Sequence, residues 1–169
     1  MKLIKIYISL FLILIFAFSV FPQKRKGLDE WLKIKVFIST RQDVEKIYDE
    51  KRSNGHFILY ETPDGEAAVN YSVGDCKSTD FPIWNVPKWI VTEIYYNFEE
   101  NPPKLKDLIP DKSKYKKKPE GDAGHIEYYN EETGVSIIYD EELKEVSGIV
   151  IGPSSRDKQK YDCNLIDNQ

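Results

Sequence analysis

Two histidines, His56 and His125, are the residues of this chain best suited to proton transfer near neutral pH. Either could serve as a general base in a hydrolase. Each stands four residues before a tyrosine, Tyr60 or Tyr129, and matched positions of this kind are also typical of repeated scaffold. No G-x-S-x-G serine and no phosphate-binding loop accompanies them, which lowers the expectation of an enzyme.

The other residues that could hold a ligand are two cysteines and two acidic sets. Cys76 and Cys163, together with the two histidines, lack the C-x-x-C and H-x-x-x-H spacings of a zinc site. The acidic residues 131–132 and 140–142 lack the alternating ligands and the glycine of an EF-hand loop, so solvated hairpin turns are favoured over a calcium site. We therefore expect neither a metal nor a cofactor.

Two stretches suit the binding of a partner. The segment "KSKYKKK", Lys112 to Lys118, holds five lysines in seven residues and could meet anionic lipid or cell-wall polymer, although such runs are also typical of exposed loops. Its candidate contact residues are Lys114, Lys116, Lys117 and Lys118.

Aromatic residues form the second candidate binding surface. Phe81, Trp84 and Trp89 surround Pro82 and Pro87. Rigid aromatic side chains on a constrained loop bury a large area at a small entropic cost, which suits partner binding. The alternative is that the two tryptophans complete the hydrophobic core.

The N-terminus predicts export. Lys2 and Lys5 precede the apolar run Ile6 to Phe21, whose 16 residues fall short of the ~20 that span a bilayer, and small residues at 17 and 19 favour cleavage after Ser19. An uncleaved anchor is the alternative. Loss of the two leader lysines, from 24 basic and 28 acidic residues, gives a net charge of about −6, which argues against nucleic acid as a partner.

Export also predicts the state of the cysteines. An even number of cysteines in an oxidising compartment favours one disulfide, from Cys76 to Cys163. Closing a loop of 87 residues would stabilise the fold by roughly 4 kcal/mol in the chain-entropy model.

The pattern of elements predicts an α+β fold. Ser39 to Tyr48 has the pattern of a short helix, with Ser39 or Thr40 as the N-cap and Gln42 as a capping-box residue. Its apolar face consists of Val44, Ile47 and Tyr48. Strand-like segments follow at His56 to Tyr60, Glu66 to Val73 and Trp89 to Phe98.

The second half repeats this plan in its spacing, and we predict two tandem helix-plus-three-strand antiparallel units, which can form one continuous sheet. Tyr60 and Gly65 match Tyr129 and Gly134, and "VTEI" from Val91 matches "VSGI" from Val146. "LKDLIPDKSKY" takes the place of the helix, with Pro110 limiting it to short turns. A single domain without duplication is the alternative.

A capped helix with "T-x-x-D-V" before a hairpin and a third strand resembles the SmpA/OmlA family of envelope proteins, and the duplicated plan is similar to the β-lactamase inhibitory protein fold. The resemblance covers roughly residues 38–96. It implies a fold and an extracytoplasmic location, without a role in barrel assembly or inhibition. The segments "STRQDVE", "YSVGDC" and "WNVP" also resemble a group of uncharacterised short secreted bacterial proteins.

The sequence thus predicts a secreted or periplasmic binding module that recognises a protein or an envelope component and has no stable membrane span after cleavage. The alternatives are a small hydrolase using His56 or His125 and a purely structural envelope protein. The predicted divisions are a signal peptide (1–19), a lead-in (20–38), two α+β units (39–101 and 102–153) and a C-terminal tail (154–169).

Overall fold

The computed structural model describes residues 26–74, 76, 84–120 and 124–166. Within these residues the strands are β1 (Glu50–Asn54), β2 (Phe57–Thr62), β3 (Gly65–Tyr71), β4 (Val91–Phe98), β5 (Lys116–Glu120), β6 (His125–Asn130), β7 (Val135–Asp140) and β8 (Glu145–Ile151). The helices are α1 (Lys26–Trp31), α2 (Arg41–Glu45), α3 (Leu105–Leu108), α4 (Ser155–Tyr161) and α5 (Cys163–Ile166), with a 3-10 turn at Lys112–Lys114.

The strands form one antiparallel sheet in the order β1-β2-β3-β4-β8-β7-β6-β5. Each half of the chain therefore makes a four-stranded meander, and the two meanders join where β4 pairs with β8, from Ile94 opposite Ile151 to Asn97 opposite Gly148. In the first half, Pro63 and Asp64 form the predicted tight turn between β2 and β3.

The predicted fold class, two helix-plus-three-strand α+β units, is wrong. The molecule is mostly one eight-stranded sheet, with a fourth strand in each half and only short helices. The extra strands are the sheet edges β1 and β5, whose residues are all exposed and mostly charged, so they lack the apolar alternation by which a strand is recognised. The segment expected to replace the first helix contains short turns on either side of Pro110, as predicted: α3 before it and the 3-10 turn Lys112–Lys114 after it.

The predicted helix at 39–48 is confirmed as a shorter element. Thr40 caps α2, and Asp43 completes a reciprocal capping box, where the sequence suggested Ser39 or Thr40 with Gln42. The helix ends at Glu45. Of its predicted apolar face, Val44 is fully buried whereas Ile47 is exposed.

The core lies on one face of the sheet. Alternate residues of the central strands point to this face and are buried, and α1 covers them with the fully buried Trp31. Trp31 stacks on Tyr48 with ring centroids 4.6 Å apart. In the second half, Leu105, Leu108 and Tyr115 pack against the same core. We call this the covered face and the opposite one the uncovered face.

The two halves each contain a β-bulge at matching positions, but their tyrosines Tyr60 and Tyr129 lie on opposite faces of the sheet. Thr92 in β4 and Ser147 in β8 are both extra residues at a bulge, and each hydroxyl donates to a carbonyl of the adjacent strand, at Asn70 or Ile138. This agrees with the match of "VTEI" to "VSGI". Tyr60 and Tyr129 do not correspond, because Tyr60 pairs with Ala67 on the covered face and Tyr129 pairs with Ser136 on the other. Common descent of the halves stays a prediction.

A disulfide joins Cys76 and Cys163, whose Cα atoms lie 5.4 Å apart, and this prediction is confirmed. It ties the start of α5 to the chain just after β3, beside a backbone bridge between Trp84 and Asp162. Across the described ranges, no helix has the length and apolar character needed to cross a membrane.

Candidate functional site

A row of mostly apolar and aromatic residues, interrupted by one serine, crosses the uncovered face. Cross-strand partners in an antiparallel sheet point to the same side, so the register defines the row directly. From β2 to β6 it consists of Leu59, Ala68, Tyr95, Val150, Ser136 and Tyr129. The ring of Tyr95, at the centre of the row, is 37% exposed.

Part of this row forms the floor of a groove. Two adjoining cavities, of about 350 and 360 Å³, share four lining residues: Tyr95, Glu120, Ile138 and Val150. One cavity extends toward Asn97 and His125, and the other toward Glu93, Glu127 and Tyr129. We call this combined feature the open groove.

The groove exists because the sheet curls. Tyr95 lies on β4 and Glu120 on β5, with β8, β7 and β6 between them. In a flat sheet these strands would be about 19 Å apart, given a spacing of about 4.8 Å per strand. Since both side chains line the same cavities, the second meander bends around its uncovered face. The bulges at Thr92 and Ser147 lie on β4 and β8, the strands that contribute Tyr95 and Val150 to the groove.

The wall of the groove is predominantly acidic. Glu127 is paired with Lys118 at 2.7 Å. Glu93 accepts a hydrogen bond of 3.2 Å from the Asn70 amide. Within the described part of the chain, neither Glu93 nor Glu120 has a cationic partner within 4.0 Å.

The acidic environment of the groove affects the pKa of Tyr95. Burial raises its pKa above the ordinary value, and a hydrogen bond to Glu93 raises it further. The negative charges of Glu93, Glu120 and Glu127 add to the effect, because each disfavours a phenolate nearby. Tyr95 therefore presents a neutral hydroxyl in a negative surrounding.

His125 lies at one end of the groove with an acidic partner. Its Nε2 is 3.2 Å from Asp140 Oδ2, on the neighbouring strand β7. The pKa of Asp140 is lowered, chiefly by the Leu143 backbone N–H, with the Glu142 N–H and His125 contributing. Ser147 lines the same cavity, but its hydroxyl donates to the Ile138 carbonyl.

His56 is not near His125. It lies in the first meander, stacked on Trp89 with centroids 4.5 Å apart. The structure therefore does not bring the two histidines into one site.

The predicted aromatic surface is engaged largely within the molecule. Phe81 lies outside the described residues. Trp84 packs edge-on against Phe37 at 5.1 Å, and Trp89 contacts His56, Tyr71 and the Arg41 guanidinium, which lies 4.9 Å from its ring centroid. Both tryptophans are half-buried, and Trp89 packs against the hydrophobic core.

The predicted basic surface is largely neutralised. Lys116 pairs with Glu131 at 2.8 Å, Lys117 with Glu141 at 3.3 Å and Lys118 with Glu127 at 2.7 Å. Because these lysines face glutamates on adjacent parts of the sheet, the edge β5 carries little net positive field. Lys114 is exposed at the end of the 3-10 turn.

The acidic sets occupy the β6–β7 and β7–β8 hairpin turns, as predicted. Asn130 and Asp140 accept hydrogen bonds from the turn amides that follow each of them. Among the described residues, no three histidine, cysteine or acidic side chains are grouped so that they could hold a metal ion.

Sequence reasoning missed the groove residues Tyr95 and Glu120. The available signal was the strand "VTEIYYNF", whose outward side carries an aromatic residue among polar ones. The position of Glu120 against it depends on the curl of the sheet. Comparison of the chain with protein-family models, with curated proteins and with solved structures found no match.

Proposed function

We propose that this protein is an extracytoplasmic, non-catalytic binding module whose contact surface is the open groove. The observation that carries the proposal is the apolar row on the uncovered face, which a curled sheet places between charged walls. A concave, partly apolar surface with a few converging polar groups is the usual form of a binding site. The recognised species is a protein or an envelope component.

The location is part of the proposal and has separate support. The apolar leader predicts export, and the resemblance of residues 38–96 to the SmpA/OmlA family implies the same compartment. A disulfide such as Cys76–Cys163 persists in oxidising environments. A secreted or periplasmic site of action follows from these features together.

A small hydrolase using His125 is the second candidate. Its support is the contact between His125 and Asp140 at the edge of the groove, since a carboxylate can orient an imidazole for base catalysis. A nucleophile is the missing part, because no hydroxyl in the described chain hydrogen-bonds to His125. For this reason we favour binding over catalysis.

Site-specific photo-cross-linking in the native host tests the proposal. A photoreactive residue is placed at Tyr95 or Ile138 in the groove, and at the exposed Leu32 or Ile47 on the helical side as controls. We expect a discrete adduct from the groove positions alone. Adducts from the controls only, or none from either groove position, would contradict the proposal.

Hydrolysis is tested separately with His125→Gln. The hydrolase alternative predicts that turnover of ester or amide probes disappears in this variant, whereas a binding module shows no such turnover before or after the substitution.

A further inference from the structure

We infer that the open groove takes up a lysine- or arginine-bearing segment of a partner protein. The inference rests on the proposed function, since it names the chemistry of the species that the groove binds. The charges of the walls and the apolar character of the floor support it.

The walls carry an excess of negative charge. In the larger cavity the charged lining residues are Glu93, Glu120, Glu127, Glu131, Lys118 and Lys158. Glu127 and Glu131 are already paired with Lys118 and Lys116. In the described structure Glu93, Glu120 and Lys158 form no ion pair, so the lining keeps a net negative charge beside Tyr95. A cation is the complement of this arrangement, because complementary potentials favour docking and like charges oppose it.

The floor explains why the cation should belong to a long side chain. Ile138 and Val150 are half-buried on the floor, beside the exposed ring of Tyr95. Lysine and arginine carry apolar methylene stems below their charged ends. The stem of one such side chain can contact the apolar floor while its charged end pairs with the acidic walls. A tyrosine ring face adds a further attraction for such a cation.

Other occupants fit less well. An anionic lipid or polymer would meet a net negative lining, because Lys118 is already paired and Glu93 and Glu120 outnumber the one other lining lysine of the described chain, Lys158. A second copy of this groove would bring the same negative excess against itself.

The test uses a fluorescent peptide of alternating lysine and alanine, blocked at both ends, and the same peptide with every lysine acetylated. Binding is followed by anisotropy, and the site is mapped by amide chemical shifts. We expect the lysine peptide to shift resonances of Tyr95, Ile138 and Val150, and the acetylated peptide to leave them unchanged. Addition of salt should weaken binding.

Charge variants give the decisive comparison. The double variant Glu93→Gln with Glu120→Gln should weaken binding about tenfold, because it removes two favourable ion pairs. The matched control is Glu100→Gln with Glu132→Gln, which removes the same charge from exposed positions outside the groove and should leave affinity nearly unchanged.

The inference is overturned if the control weakens binding as much as the groove variant, or if the acetylated peptide binds equally well. An alternating glutamate and alanine peptide that binds the groove would also overturn it. If the lysine peptide fails while a photo-cross-link at position 95 still forms, the inference is wrong and the proposed function stands. If the peptide binds as expected but no cross-link forms in the host, the proposed function fails instead.

Discussion

The hydroxyls of Tyr60 and Tyr71 meet in the core, 2.8 Å apart, and each is the other's hydrogen-bond partner. Both side chains are almost fully buried. A buried hydroxyl without a partner costs more than the mean value of a hydrogen bond, because it has lost its water and gained nothing. The two hydroxyls therefore contribute to stability only when both are present.

We predict that Tyr71→Phe lowers the free energy of unfolding by about 1–3 kcal/mol, since Tyr60 is left without its partner. The double variant with Tyr60→Phe should cost much less than the sum of the two single variants, because no orphaned hydroxyl is left. Urea unfolding of all four proteins measures this. Strict additivity would show that the two hydroxyls do not depend on each other.

Gly134 is the second residue whose identity the structure explains. Its φ of 71° is unfavourable for other residues, and an added Cβ would lie far inside contact distance of the Gly152 carbonyl oxygen. The Gly134 carbonyl in turn accepts a hydrogen bond of 2.8 Å from the Gly152 amide. The β6–β7 turn is thus packed directly against the chain leaving β8.

Gly134→Ala should therefore destabilise the fold by more than about 1 kcal/mol, the usual cost of alanine at positive φ. Gly124→Ala is a matched control, because Gly124 has a φ of 72° but its nearest neighbour to a new Cβ is 3.9 Å away. The difference between the urea unfolding midpoints of the two variants measures the cost of the close approach of a Cβ at position 134 to the Gly152 carbonyl. Equal losses of stability in the two variants would show that this close approach has no effect.

At the level of elements, two short helices are each fixed by a capping box. Thr40 and Asp43 begin α2, and Ser154 and Asp157 begin α4, with side chain and backbone hydrogen-bonded in both directions. Helices of five and seven residues gain little from propagation, so their ends decide whether they form.

Thr40→Ala should lower the free energy of unfolding by about 1 kcal/mol, because the Asp43 amide loses its side-chain acceptor. Lys104→Ala at the start of α3 serves as the control, since Lys104 makes no side-chain capping bond. Thermal unfolding of both variants gives the comparison. A loss at Lys104 as large as that at Thr40 would contradict the argument.

The elements rich in apolar, β-branched and aromatic residues were predictable. β2, β3 and β4 were found to within a few residues because they carry such residues, and because a Pro-Asp-Gly turn separates β2 from β3. β1 and β5 were not, because "EKRSN" and "KKKPE" contain no buried residue and are strands only through pairing with β2 and β6. Such edges are typically charged, which discourages pairing with other chains.

The candidate site was less predictable than the strands. Simple alternation along β4 places Val91 on the same side as Glu93 and Tyr95. The bulge at Thr92 reverses the side to which Val91 points, and its side chain is buried in the core. The meeting of Tyr95 with Glu120 depends on the bend of four intervening strand pairings. Neither feature has a local sequence signal.

Over the whole molecule, tyrosines link stability to alkaline pH. Burial raises the pKa of Tyr48 to about 12, and burial likewise raises the pKa values of Tyr60, Tyr71 and Tyr96. A raised pKa means that the folded state holds its proton more tightly than the unfolded state does. This contribution is complete below about pH 10, the ordinary value, and is lost as pH rises through the folded value.

We therefore predict that the free energy of unfolding falls between about pH 10 and pH 12. Tyrosinate absorbance and circular dichroism, measured together, should show that part of the tyrosines ionise only as the sheet unfolds. Full ionisation near pH 10 with an intact sheet would contradict the expected protection.

The junction between the two meanders has a further consequence for the rate of folding. Six of the seven strand pairings in the described sheet join consecutive strands. The pairing of β4 with β8 instead brings together Ile94 and Ile151, which are far apart in the sequence. Local hairpins close quickly, and a distant pairing must first overcome loop-closure entropy, so the junction should form last. Cys76 precedes β4 and Cys163 follows β8 in the sequence. Their disulfide therefore shortens the length of chain that separates β4 from β8 even in the unfolded state. Refolding from urea should accordingly be faster for the oxidised chain than for the reduced one.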